Sequence, residues 1–159
     1  MTIKIKLDEG AYVPQRAHGA DAGADLFSPV NAIIYPECYG TIDTGVHMEI
    51  PFGYEGNVLP KSGPLVNHGV ITAGTIDSGY TGSIRVTLIN HGNDPFVIKK
   101  GQKIAQIIIR KVELCEFEEV EELSESERGD GGFGSTGIFW DVPALSELPS
   151  SHGESQREG

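Results

Sequence analysis

Glycine and proline, 21 and 9 of the 159 residues, cut this chain into apolar runs too short for a long helix. Ile3–Leu7 places Ile3, Ile5 and Leu7 on one face of a strand. Ala20–Gly23 is a turn leading into Leu26-Phe27. Ala32–Tyr35 is a short apolar run ended by Pro36, and Tyr54–Leu59 is a strand stopped by Pro60. Gly40–Ile50 alternates loosely through Ile42, Val46, Met48 and Ile50, then closes at Pro51-Phe52-Gly53. Ser83–Asn90 is strand-like, and the turn His91-Gly92-Asn93-Asp94-Pro95 separates it from Phe96-Val97-Ile98. Ile104–Val112 is the most apolar stretch and reads as a buried strand. Short strands spaced by turns favour an all-β sandwich or jelly-roll-like barrel. Leu65–His68, after Ser62-Gly63-Pro64, fits either one helical turn or a plain loop.

The length suits a single domain with a real core. The expected organisation is a β domain over 1–127, a Gly-rich arm over 128–138 and a flexible tail over 139–159. The Glu-rich stretch Glu113–Glu127 reads as an extended, solvated acidic strand edge. A formal net charge of -11 argues against a nucleic acid as main partner, because phosphate-backbone binding needs a net basic face. A few local donors can still hold a small anion. Cys38 and Cys115 are far apart and in no C-x-x-C spacing, against both a disulfide scaffold and a Cys-based zinc site. The N-terminus lacks the apolar core of a signal peptide, and no apolar run approaches the roughly 20 residues that span a bilayer. The expectation is a reducing intracellular compartment and no membrane partner.

Five islands do not look like ordinary turns: Asp21–Leu26, Pro60–Gly63, Gly74–Gly82, Gly101–Gln106 and Arg128–Gly137. Lys61-Ser62-Gly63 fits a polar loop, and equally fits backbone N–H groups presented to a phosphate, with Lys61 adding charge and Ser62 a hydroxyl. Asp77, between Ile76 and Ser78-Gly79, either stabilises a turn or accepts a proton from water at a pocket mouth. Gln106 interrupts an apolar strand, so it is either satisfied locally or turned toward a ligand. The fifth island carries five glycines in ten residues, which is entropically expensive to order. It also carries Arg128, Phe133, Ser135 and Thr136, the parts of a nucleotide clamp: cation and hydroxyls for phosphate, a ring for a base. It is not a Walker P-loop, because no Gly-Lys-Ser/Thr closes it.

In order and spacing, the five islands resemble the five motifs of the trimeric dUTP pyrophosphatase (dUTPase) family, from about Ile3 to Ile138. The resemblance implies an all-β, jelly-roll-like distorted barrel and a homotrimer with active sites shared between subunits. It also implies Mg²⁺-assisted hydrolysis of dUTP to dUMP and pyrophosphate. By that resemblance Asp77 activates the attacking water and contacts the deoxyribose, while Tyr80 packs under the sugar and excludes a 2′-hydroxyl. Asp25 holds the metal through its water shell. Lys61, Ser62 and Gly63 bind phosphate, and Gln106 lies near the α-phosphate and the water. Arg128, Gly134, Ser135 and Thr136 belong to the γ-phosphate clamp, and Phe133 stacks on uracil. Uracil selection is expected from backbone groups of a hairpin between about Val70 and Tyr80.

Two departures stand out. Position 61 is Lys where the family most often has Arg, which keeps the charge but loses the planar fork. Val70–Gly74 is short beside common family members. The competing readings are a dCTP deaminase, a catalytically idle nucleotide-binding or regulatory trimer, and a structural β trimer. The complete fifth island argues against the deaminase. The set Asp25, Ser62, Asp77, Gln106, Arg128 and Phe133 argues against an idle module.

Overall fold

Eleven strands and one short helix build the part of the chain that the computed structural model describes, residues 1–132. The strands are β1 (Lys4–Leu7), β2 (Ala24–Phe27), β3 (Ala32–Ile34), β4 (Tyr39–Asp43), β5 (Val46–Glu49) and β6 (Tyr54–Leu59). The helix α1 (Ser62–His68) comes next, then β7 (Val70–Ile71), β8 (Gly74–Ile76), β9 (Arg85–Asn90), β10 (Phe96–Ile98) and β11 (Lys103–Lys111). Every paired ladder is antiparallel. They form a four-stranded sheet β2-β11-β6-β8, a three-stranded sheet β4-β9-β7, and the pairs β1-β5 and β10-β3. Among the described residues hydrogen bonds do not close these sheets into one barrel.

The core follows from strand alternation. In β9, Val86, Leu88 and Asn90 point inward while Arg85 and Thr87 face out. Leu26, Val58, Ile104 and Ile107 of the four-stranded sheet share one apolar cluster with Val86, Leu88 and Ile42 of the three-stranded sheet. Burying side chains of this size contributes roughly 1.5–3 kcal/mol each. Asn90 is the polar exception, and it is fully satisfied. Its amide donates to the Ile34 and Asp94 carbonyls, each at 2.9 Å, and its oxygen accepts from the Gly92 N–H at 2.9 Å. It thereby fixes the turn between β9 and β10.

Three local expectations are corrected, and the open choice at Leu65–His68 falls to the helix. Gly40–Ile50 is two strands in different sheets, because the chain turns a corner at Thr44-Gly45. Gly45 has φ +66, and the Thr44 hydroxyl donates to the Ile84 carbonyl at 2.7 Å. Ser62–His68 is a helix, ended by Gly69 in the left-handed region with its N–H on the Leu65 carbonyl at 3.0 Å. Val70–Tyr80 is not a hairpin: β7 pairs with β9, whereas β8 pairs with β6. No strand forms over 113–127, where no ladder partner offsets the repulsion of the glutamates. The chain divides into two compact units, Met1–Glu116 and a second beginning at Phe117. No helix of the described residues is long and apolar enough to cross a membrane.

Candidate active site

The first cluster of predicted site residues forms around the central strand β11. Gln106 stands opposite Asp25 of β2 on one side and Leu59 of β6 on the other. Its amide nitrogen donates to the Pro60 carbonyl at 3.0 Å, so this half-buried Gln is satisfied locally. The face of Gln106 covers Gly23, where a Cβ would collide with the Gln106 amide oxygen. The glycine is therefore needed for close approach.

Asp25 is 4% exposed, and burial alone would raise its carboxyl pKa. Hydrogen bonds and charge from Lys103 and Lys61 outweigh burial and hold it below its ordinary value. Lys61 bonds one carboxylate oxygen, and Lys103 lies 2.7 Å from the other. One carboxylate between two ammonium groups leaves a net positive charge, which suits a phosphate nearby. Lys103 is a residue that the sequence reading did not single out. Its reach depends on an irregularity in β11 between Lys103 and Ala105, which alternation does not reveal.

Ser62 and Gly63 open α1. Pro64 has no N–H, and Leu65 is the residue that bonds back to the Lys61 carbonyl, at 3.1 Å. The Ser62 and Gly63 amides are thus not used inside the helix, and both residues are exposed.

The second cluster lies on the turn after β8. Asp77 is exposed, and its carbonyl accepts from the Tyr80 N–H at 3.2 Å, closing a turn with Gly79 at φ +84. The Tyr80 hydroxyl donates to the Ser83 carbonyl at 3.0 Å, and its ring fills the space a Cβ on Gly82 would take. Thr75, Ile76, Asp77, Tyr80 and Arg85 line a hollow of about 180 Å³.

The two clusters are not brought together within one chain. Ile76 pairs with Gly56 within β6, and Lys61 lies just past the C-terminal end of that strand. Five residues of extended chain separate those levels by roughly 16 Å. Arg128 belongs to the second unit, where its Nε donates to the Gly131 carbonyl at 2.8 Å. Phe133, Gly134, Ser135 and Thr136 lie outside the described residues.

Among the described residues no group of three or more His, Cys, Asp or Glu could cage a metal. Magnesium does not need one. It keeps several waters and binds through one or two carboxylates and substrate phosphates. The lone ionised Asp25 fits that outer role, on condition that an ammonium group yields to it.

A family model for dUTPase matches residues 9–137. The chain belongs to the dUTPase family. It is 50% identical over 140 residues to the deoxyuridine 5'-triphosphate nucleotidohydrolase of Clostridium tetani, spanning 86% of this chain and 97% of that protein. A mutant dUTPase of Staphylococcus bacteriophage 80alpha, solved with dUpNHpp, matches with a TM-score of 0.81 at 30% identity, over 86% of this chain and 99% of that one. A mutant dUTPase of S. aureus phage phi11, whose structure is described as revealing the coordination of a structural Mg(II) ion, matches with a TM-score of 0.73 at 27% identity. That match covers 79% of this chain and 100% of that one. Family and jelly-roll-like dUTPase fold are therefore as the five motifs implied.

Proposed function

We propose that this chain hydrolyses dUTP to dUMP and pyrophosphate by water attack at the α-phosphate, keeping uracil out of DNA and supplying dUMP for thymidylate synthesis. The observation that carries the reading is the Asp77–Tyr80 turn in a chain of this family: an exposed carboxylate beside a tyrosine ring at a small hollow. Asp77 accepts the proton of the attacking water. Tyr80 packs under the deoxyribose and leaves no room for a 2′-hydroxyl. The amides and hydroxyl of Ser62 and Gly63 bind phosphate, Lys61 supplies charge, and Gln106 orients groups at the α-phosphate. Arg128, Gly134, Ser135 and Thr136 clamp the γ-phosphate, and Phe133 stacks on the base. When Mg²⁺ is bound, the Asp25 carboxylate holds it through water, and it supplies charge neutralisation on the triphosphate.

The assembly in this reading is a homotrimer whose sites each draw the Asp25–Lys61–Gln106 cluster and the Asp77–Tyr80 turn from different subunits. Their separation within one chain supports it. So does an apolar hollow lined by Ile5, Val13, Met48, Ile107 and Ile109, a surface of the kind subunits cover. No nucleic-acid or membrane partner belongs to this reading. The free, exposed Cys38 and Cys115 suit a reducing intracellular compartment. Residues 1–127 act as the β domain, 128–138 as the clamp and 139–159 as a tail.

The test is pyrophosphate release with Mg²⁺ from dUTP against dCTP, dTTP and UTP, with ammonia followed in parallel. Release from dUTP alone, without ammonia, is expected. Ammonia from dCTP moves the chain to the deaminase reading, and binding without turnover makes it a nucleotide-binding module. Ending the chain after Glu127 should leave a folded protein with little activity; full activity there rejects the clamp.

A further inference from the structure

The turn that carries Asp77 and Tyr80 is exposed, so polar contacts must fix its far end. Within the turn the Tyr80 hydroxyl holds the Ser83 carbonyl, and the Ser83 hydroxyl bonds Asp43 at the end of β4. His47, from β5, makes the third tie. Its Nδ1 lies 2.8 Å from the Thr81 carbonyl, and its Nε2 lies 3.2 Å from the Asp8 carboxylate. A carbonyl and an ionised carboxylate only accept. Both contacts therefore need a ring N–H, and only the imidazolium has two.

We propose that His47 is a positioning residue for the reaction: its imidazolium straps the Thr81 carbonyl, and with it the Tyr80–Gly82 turn, to β5 and Asp8, and deprotonation loosens the strap. Thr81 sits between Tyr80 and Gly82, and the Tyr80 ring lies against the bare backbone of Gly82. A shift at Thr81 is thus a shift of the ring assigned to the sugar. The kinetic part of this inference rests on the dUTP reading; the strap itself does not.

The surroundings favour the charged ring. The Thr81 carbonyl first, then the Asp8 carboxylate, raise His47 above its ordinary value of 6.5, against desolvation and the positive charge of Lys6. Asp43 also faces the ring, with Arg85 3.6 Å from that carboxylate. Lys4 and Glu49, which share a hollow of about 220 Å³ with His47 and Thr81, are paired with each other at 2.8 Å. The grip is complete below the ordinary histidine value and is lost as pH rises through the raised one.

The experiment uses the full chain, His47→Gln and Asp8→Asn. In ligand-free protein, NMR follows the His47 ring and the exchange protection of the Thr81–Ser83 amides against pH. Kinetics give KM and kcat for dUTP over the same range for all three proteins, each corrected for the separately measured titration of the substrate. His47 should titrate above its ordinary value, and amide protection should fall as it does. KM should rise about three- to tenfold over that interval while kcat moves less, the size expected for one hydrogen bond. His47→Gln should show the high KM at every pH with no step, and Asp8→Asn should move the step to lower pH. An ordinary His47 titration, protection independent of it, or a step that persists in His47→Gln overturns the strap. Normal dUTP turnover with a flat KM removes the positioning role alone. No turnover with the NMR as expected removes that role together with the dUTP reading and leaves the strap standing.

Discussion

Asp25 and Asp77 both stand in glycine-containing segments, yet their settings are opposite. Asp25 is buried in the four-stranded sheet, neutralised from two sides by lysines, beside a Gln that is bonded to the Pro60 carbonyl just past the neighbouring strand. Asp77 is exposed on a turn held by its own backbone and by side chains that reach in from β4 and β5. The first arrangement suits binding of charge, because its carboxylate and two ammonium groups are already held together in the sheet. The second suits a group that must meet water and substrate together. A buried carboxylate already paired with two cations makes a poor proton acceptor; an exposed one with no ammonium partner among the described residues is free to act.

The comparison breaks most visibly at Asp77. Asp77→Asn should lower turnover at least about a thousandfold, within the range of general-base loss, while dUTP binding persists. Pyrophosphate release and equilibrium binding separate the two effects, and retained turnover removes Asp77 as the base. The same variant sharpens the question of whether the half-sites belong to different subunits. Mixed after dissociation with an equally inactive Asp25→Ala chain, it should regain about a quarter of wild-type activity, the random share of sites with both halves intact. No regain places both halves in one subunit.

Asp25 itself should respond in stability. Asp25→Asn leaves two ammonium groups against a neutral amide and should cost about 2 kcal/mol. That is less than for a fully buried pair, because Lys103 is 45% exposed. Denaturant melts in a chelating buffer read the loss without any metal. The pH dependence has a defined sign. Asp25 has a folded value below its ordinary 3.8, so its contribution is present above that value. It is lost as pH falls through the lower folded one. Wild type should therefore lose stability on acidification over that interval, and Asp25→Asn should lose less. Equal acid sensitivity of the two proteins argues that the lysines do not hold the carboxylate in solution.

Gly23→Ala should act next in size. The new methyl group meets the Gln106 amide and pushes it from the Pro60 carbonyl. A displacement of that kind at a positioned group lowers kcat by about tenfold with little change in the melt. An unchanged kcat means that Gln106 is only a structural tie between β11 and the end of β6.

Much of this arrangement could be read from residues alone. Tyr54–Leu59 and Phe96–Ile98 coincide with observed strands because alternation and a flanking proline or turn decide them locally. The corner at Thr44-Gly45 was hidden because its anchor, the Ile84 carbonyl, is 40 residues away in sequence. The separate partners of Val70–Ile71 and Gly74–Ile76 are likewise a property of the assembled sheets. At the site, residue types marked Lys61, Asp77 and Gln106 and the resemblance added Asp25, but no pattern indicated that Lys61 and Lys103 converge on Asp25. That convergence depends on the irregularity in β11, where Ile104 and Ala105 are both buried and the alternation breaks. His47 was hidden for a similar reason: its partners come from the end of β1 and from a turn 34 residues on.

The smallest expected effect concerns Lys61, the position where Arg is more usual in the family. Its ammonium is already committed to Asp25 and is 26% exposed, so a single point charge serves both the carboxylate and any incoming phosphate. Arg would present a planar fork, one edge toward Asp25 with further N–H groups left over for the ligand. Lys61→Arg should therefore lower KM for dUTP by about twofold and leave kcat unchanged, since an extra contact made equally in ground and transition states alters binding alone. A rise in KM would mean that the lysine has to leave Asp25 to reach the phosphate. The fork, bound more firmly, would then hold back the buried half of the site.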